Sequence, residues 1–142
     1  MKSCYINADL IASGLSPLAP EKVKIQAGRL MLKRIEESVS KSESFAFEST
    51  LSGTTYIKRI KDWKKQGYEV IMFYLKLPSV EMAVDRVKNR VSEGGHNIPE
   101  ADIRRRFDRS WKNFNEIYGE IVDTWLVFDT SEEIPKLIEK SD

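Results

Sequence analysis

Val70-Ile71-Met72-Phe73-Tyr74-Leu75 is an unbroken apolar run. A strand with one wet face alternates apolar and polar residues, whereas a strand covered on both faces does not. The run therefore predicts a strand over 69–77 with both faces buried, as in a parallel sheet. Trp125-Leu126-Val127-Phe128 reads the same way, inside a strand over 124–129, and shorter strand patterns occupy 4–7 and 44–48. Helical stripes separate them. Val23, Ala27, Leu30, Met31 and Ile35 follow Pro20, which is tolerated in a first turn. Ile57, Ile60 and Trp63 mark a second helix stopped by Gly67. Ser79 caps a third that carries Val80, Ala83, Val84, Val87 and Val91. Gly94-Gly95 breaks it, and Pro99 restarts the chain into a long helix with Ile103, Phe107, Phe114, Ile117 and Ile121 inward. Ile134, Leu137 and Ile138, with Pro135 in the first turn, predict a short closing helix. Alternating helices and strands point to an α/β layer structure.

Working outward, 142 residues make one domain, 1–142, with enough chain for a real core. Lys and Arg number 23 against 22 Asp and Glu, so the net charge of +1 supplies no general pull toward nucleic acid or an acidic membrane. Anion binding has to come from local clusters. Cys4 is the only cysteine; it excludes an intrachain disulfide and a thiolate metal cluster, and reads as a small apolar residue in or beside a strand. The first residues are too few and too polar for a signal peptide, and no apolar run approaches the ~20 residues that cross a bilayer. The expectation is a cytoplasmic protein, with neither membrane nor nucleic-acid partners and no metal-ligand cluster.

Three constellations could carry chemistry. Asn7-Ala8-Asp9 puts a carboxylate just past a strand end, where α/β sheets bind ligands. Asp9 could take a proton from a hydroxyl or hold magnesium; equally, Asn7 and Asp9 could shape a turn and cap the next segment. Phe45-Ala46-Phe47-Glu48-Ser49-Thr50-Leu51-Ser52-Gly53 again ends a strand in an acid, followed by hydroxyls. Glu48, Ser49 and Thr50 could orient a polar substrate, or form an ordinary strand-to-helix turn. Two strands ending in acids at one sheet edge are a better sign than one. The third is a basic set. Arg86 and Arg90 share a helix face, as do Arg105 and Arg109, across a Gly94-Gly95-His96-Asn97-Ile98-Pro99 hinge. These read as a phosphate-clamping lid over about 86–112, or as a solvated face balanced by Glu93, Glu100, Asp102 and Asp108. His96, the only histidine, lacks the companions a zinc site needs and is at most a lid residue.

These motifs, in this order, resemble the zeta-toxin-like P-loop kinases, over roughly residues 5 to 129. The stretch from Asn7 to Pro17 is similar to the segment that follows the family's phosphate loop. The Glu48 stretch looks like its second acidic motif, and Arg86 through Phe107 like its lid. The resemblance implies a three-layer P-loop-kinase-like parallel sheet flanked by helices, and ATP–Mg²⁺-dependent phosphorylation of a small-molecule hydroxyl. In the toxin branch the acceptor is a UDP-activated amino sugar. Asp9 becomes the catalytic base. Asn7, Glu48, Ser49 and Thr50 become acceptor-binding, and Arg86, Arg90, Arg105 and Arg109 phosphate-binding. The resemblance also implies an antitoxin-like partner.

One part of the pattern is missing. No G-x-x-x-x-G-K-[ST] occurs in the chain, and only Met1-Lys2-Ser3 stands where the family has its first, central strand and Walker A loop. That loop supplies backbone N–H groups, a lysine and a magnesium-binding hydroxyl. The expectation is a kinase scaffold lacking that strand, inactive as this chain, with the gap closed or covered, as in a homodimer. The rival expectation is a non-catalytic nucleotide- or protein-binding module built on the same fold.

Overall fold

A computed structural model describes residues 4–95 and 97–142. His96, the sequence-predicted lid histidine, lies outside them. The chain divides into two compact units, one ending at Ser49 and the other beginning at Thr50.

In the first unit, β1 (Cys4–Ile6) leads into α1 (Ala8–Leu15). A 3-10 turn (Pro20–Val23) and α2 (Lys24–Ser40) follow, and β2 (Phe45–Phe47) closes the unit. β1 and β2 pair in parallel, with Cys4 opposite Phe45 and Ile6 opposite Phe47. Parallel neighbours require a crossover, which the two helices supply. The core stripe of α2 is Ala27, Met31, Ile35 and Ser38, all buried along with Ile6 and Ala12. Arg34 reaches from the same helix to donate to Cys4 Sγ (3.2 Å) and Ser38 Oγ (3.4 Å). α1 was not among the sequence-predicted helices. Gly14 and Ser13 in eight residues give it little propensity, and its cap supplies the start signal.

The second unit runs α3 (Thr55–Lys65), β3 (Ile71–Lys76), α4 (Val80–Ser92) and α5 (Glu100–Asn113). A π-helical turn (Phe114–Tyr118) joins α5 to α6 (Gly119–Ile121), and β4 (Thr124–Asp129) and β5 (Lys136–Lys140) complete it. β3 and β4 pair in parallel from Ile71 opposite Thr124 to Lys76 opposite Asp129. The predicted punctuation is present. Gly67 sits at φ +96° behind α3, and Ser79 Oγ accepts from Met82 N at the start of α4 (3.3 Å). Gly94 has φ +89°, and Gly95 N donates to Arg90 O (2.7 Å) so closely that a Cβ on Gly95 would stand 2.5 Å from that oxygen.

Two expectations fail here. The closing helix at 134–138 is instead strand β5, antiparallel to β4, so this sheet is mixed rather than parallel. Pairing with β4 outweighs a short helical pattern, and the lysines and glutamate of this exposed edge strand deter further pairing. The run in β3 was expected to be covered on both faces. One face is open: Ile71, Phe73 and Leu75 are 49%, 62% and 63% exposed. The other face is packed. Tyr74 meets Phe114 and Trp111 at ring-centroid distances of 4.8 and 5.4 Å, and Phe114 meets Trp125 edge-on at 5.4 Å. The aromatic packing from α5 and the π turn all lies on the Tyr74 side. Unbroken apolarity identifies a strand but does not count its covered faces.

A carboxylate fastens the start of β3 to the end of α6. Asp123 Oδ2 accepts from Val70 N (2.7 Å), and its other oxygen lies 3.4 Å from Lys64 Nζ, which also donates to Ile121 O (3.0 Å). The Val70 N–H first, and Lys64 second, hold the Asp123 carboxyl below its usual range. A depressed carboxyl stabilises the fold above its unfolded pKa of about 4, and that contribution is lost as pH falls through the folded value. Urea midpoints of the wild type are thus expected to fall as pH drops below about 4, with a shallower fall in Asp123→Asn. Identical acid slopes would remove this contact from the account.

Candidate functional site

The first cluster is built where β1 and β2 end side by side. Asn7 follows β1 in extended conformation and caps α1: its Oδ1 accepts from Asp9 N (2.8 Å) and Leu10 N (3.2 Å). Its amide nitrogen donates to Glu48 Oε2 (2.8 Å) and to the Tyr5 hydroxyl (3.2 Å). All of the amide's main hydrogen-bonding directions are therefore committed within the protein. The sequence offered capping and substrate contact as alternatives for Asn7; the structure shows a cap that also holds Glu48. Glu48 and Asp9 are both exposed, Asp9 in the first turn of α1, where a negative charge is favoured by the helix N-terminus. Tyr5 was not singled out by the sequence, where it reads as an ordinary strand residue. The Glu48 carboxylate raises its phenol pKa, and Asn7 pulls the other way.

The residues after Glu48 are held separately. Thr50 Oγ1 and Ser52 Oγ are 2.8 Å apart. Leu51 is buried with φ +57°, a left-handed conformation that a bulky side chain rarely adopts. Its carbonyl accepts from Asn113 Nδ2 (2.7 Å), and the Gly53 carbonyl accepts from the fully buried Tyr118 (2.9 Å). The π turn aims Tyr118 at this loop. Such turns are frequent at functional positions.

The basic residues sort by helix face. On α5, Ile103, Phe107 and Ser110 mark the inner side. Arg105 points away from it and pairs with Asp102 (3.0 Å), while Arg104 pairs with Glu100 (3.2 Å) and Glu81 (3.5 Å). Arg109 is exposed. Arg106, not selected from the sequence, lines a cavity of about 390 Å³ with Thr50, Lys76 and Trp111. Arg86 and Arg90 line a second hollow of about 600 Å³ with Thr130 and Glu132, and Arg86 donates to the Thr130 carbonyl. Among the described residues no group of three or more His, Cys, Asp or Glu could hold a metal ion, and no helix is long and apolar enough to cross a membrane.

An α/β chain with two acid-tipped parallel strands and a cationic helix pair defines a class of scaffold before any comparison is made. The comparisons give its family. Residues 9–137 match the family model described as Zeta toxin, and the chain belongs to that family. An uncharacterized protein of Haemophilus influenzae (strain ATCC 51907 / DSM 11121 / KW20 / Rd) is 35% identical over 102 residues, which cover 72% of this chain and 73% of that one. A solved structure from the PezAT chromosomal toxin–antitoxin system of Streptococcus pneumoniae superposes with a TM-score of 0.64 at 14% identity. That match covers 97% of this chain but only 60% of the solved one, so the likeness is one of fold. The zeta-toxin-like fold inferred from the motifs is thereby confirmed.

Asn7→Ala removes a helix cap and releases Glu48. The loss of stability is expected to be about 0.5–2 kcal/mol by urea unfolding. Asn7→Asp keeps a capping oxygen but sets a second carboxylate against Glu48, so it should lose less than Asn7→Ala at pH 4 and more at pH 7. The opposite order would contradict the dual role.

Proposed function

We propose that this chain carries the acceptor half of an ATP-dependent small-molecule kinase of the zeta-toxin type. The observation that carries the reading is the Asn7–Glu48 bond, which ties two acid-tipped strand ends to the helix turn bearing Asp9. In this reading the Asp9 carboxylate accepts the proton of the acceptor hydroxyl as that oxygen forms its bond to the γ-phosphorus of ATP and the bond from that phosphorus to the departing ADP oxygen breaks. Glu48, fixed by Asn7, accepts hydrogen bonds from neighbouring polar groups of the acceptor and sets its orientation. Arg86, Arg90, Arg105 and Arg109 are the candidates that neutralise phosphate oxygens. Bound ATP–Mg²⁺ supplies the phosphoryl group and screens its charge. Among the described residues no group of three or more acids could hold a metal, so magnesium would rest chiefly on the nucleotide phosphates. Ser49 and Thr50 would complete the acceptor contacts. The acceptor is a small hydroxylated molecule, a sugar nucleotide by family resemblance. The neighbour's toxin–antitoxin system supports an antitoxin-like protein partner.

The 142 residues hold no G-x-x-x-x-G-K-[ST] loop, so transfer requires that cradle from outside them. With such a strand and loop fused ahead of Tyr5, radiolabelled ATP and a panel of hydroxylated metabolites should yield a phosphorylated product. In that protein Asp9→Asn is expected to lower kcat by about a hundredfold to ten-thousandfold and to leave ATP affinity nearly unchanged. Full activity in Asp9→Asn would remove Asp9 from the base role. The 142-residue chain itself should show no ATP turnover. Retained ATP–Mg²⁺ binding without turnover, in both forms, would favour a nucleotide-binding module instead.

A further inference from the structure

The kinase reading leaves one large surface of the second unit without a role, the open face of its sheet. Residues paired across strands share a face. Ile71, Phe73 and Leu75 of β3 therefore stand beside Leu126 and Phe128 of β4, and Phe128 beside Leu137 of β5. The Phe73 and Phe128 ring centroids are 6.1 Å apart. Ile71, Phe73, Leu75 and Leu137 are each about half exposed or more. Together they open about 400–500 Å² of apolar surface, toward the upper end of what a monomer leaves to water. No charge interrupts it between Ile71 and Leu75. At the other edge of the sheet β5 carries Lys136, Glu139 and Lys140, so one edge is guarded and the other bare.

Within the 142 residues little is left over to cover this face. Only residues 1–3 and 96 lie outside the described ones. Three extended residues reach about 10 Å, about half the length of a strand like β3. The face itself selects its occupant. Glu69 stands just ahead of β3 and Lys140 opposite Leu126, one charge of each sign, and the net charge of the chain is only +1. Such a surface offers no counter-charge to a strongly acidic or basic partner. An apolar centre with opposite charges at its rim is complementary to itself. Two such faces, packed about a two-fold axis and counted with their rims, cover about 1,000 Å² or more, where specific interfaces begin. We propose that the chain forms a homodimer by packing this face of β3 and β4 against the same face of a second copy, with Phe73 near the axis. Such a dimer forms whether or not the chain transfers phosphoryl groups, and is read from mass alone.

Sedimentation velocity of the 142-residue chain over a concentration series is the test. The wild type should pass from monomer to dimer with a micromolar Kd, and its urea midpoint should rise with protein concentration. Phe73→Glu would bury an unpaired carboxylate and should stay monomeric, with a midpoint independent of concentration. Phe73→Thr keeps a β-branched strand residue and covers the case in which Phe73→Glu fails to fold. It should raise Kd about tenfold or more (about 1.4 kcal/mol). Leu18→Glu, at a fully exposed leucine of the first unit, should stay within about twofold of wild type. A monomer at the highest soluble concentration would overturn the proposal and leave the face to a different protein or a further segment. Equal losses in Phe73→Thr and Leu18→Glu, or species that grow beyond the dimer, would overturn it as well.

Discussion

Parallel pairing of β1 with β2 is the constraint on which the acidic site depends. With Ile6 opposite Phe47, the next residue on each strand is Asn7 or Glu48, and their side chains meet at 2.8 Å. A one-residue slip would turn one of them to the other face and break the contact. The same Asn7 side chain starts α1, so helix and acid are fixed by one group. Asp9 then follows from the helix: two positions past the cap, it stands in the first turn with its N–H already engaged. A short strand pair and one amide thus do the positioning that would otherwise need several contacts.

The second unit is organised by aromatic packing. Tyr74, Trp111, Phe114 and Trp125 lock α5 and its π turn against β3 and β4. That packing sets the rotation of α5, and the rotation decides which arginine faces inward. It also directs Asn113 and Tyr118 at the Leu51 and Gly53 carbonyls, holding an otherwise unfavourable backbone conformation in place. Gly119 is needed at the end of the turn, since a Cβ there would stand 2.9 Å from the Phe114 carbonyl oxygen. The open face of β3 is the counterpart of this one-sided arrangement.

Much of this was legible in residue order. Periodicity located α2, α3, α4 and α5, glycine and serine marked their ends, and apolar runs marked β3 and β4. Four things were not legible. Helix α1 depends on a side-chain cap that sequence shows equally well as a turn. β5 owes its form to a partner strand, and local pattern carries no trace of that partner. The arginine register in Arg104-Arg105-Arg106 turns on which apolar side chains define the inner face. Spacing of four between Arg105 and Arg109 was a true helical relation, but it described the outer side. Asn7 and Glu48 come together because a strand end fixes a side chain's place more tightly than a helix face does. Tyr5 carried no signal beyond strand propensity, and its link to Asn7 and Glu48 needed the strand pairing to be known.

The central claim is that Asn7 and Glu48 act as one unit at the ends of β1 and β2. A double-mutant cycle of Asn7→Ala and Glu48→Gln, read by urea unfolding at pH 7, tests it most directly. The account predicts a coupling of about 1 kcal/mol, modest because the pair is exposed. Strictly additive losses would contradict it, and would leave Asp9 and Glu48 as unrelated surface acids.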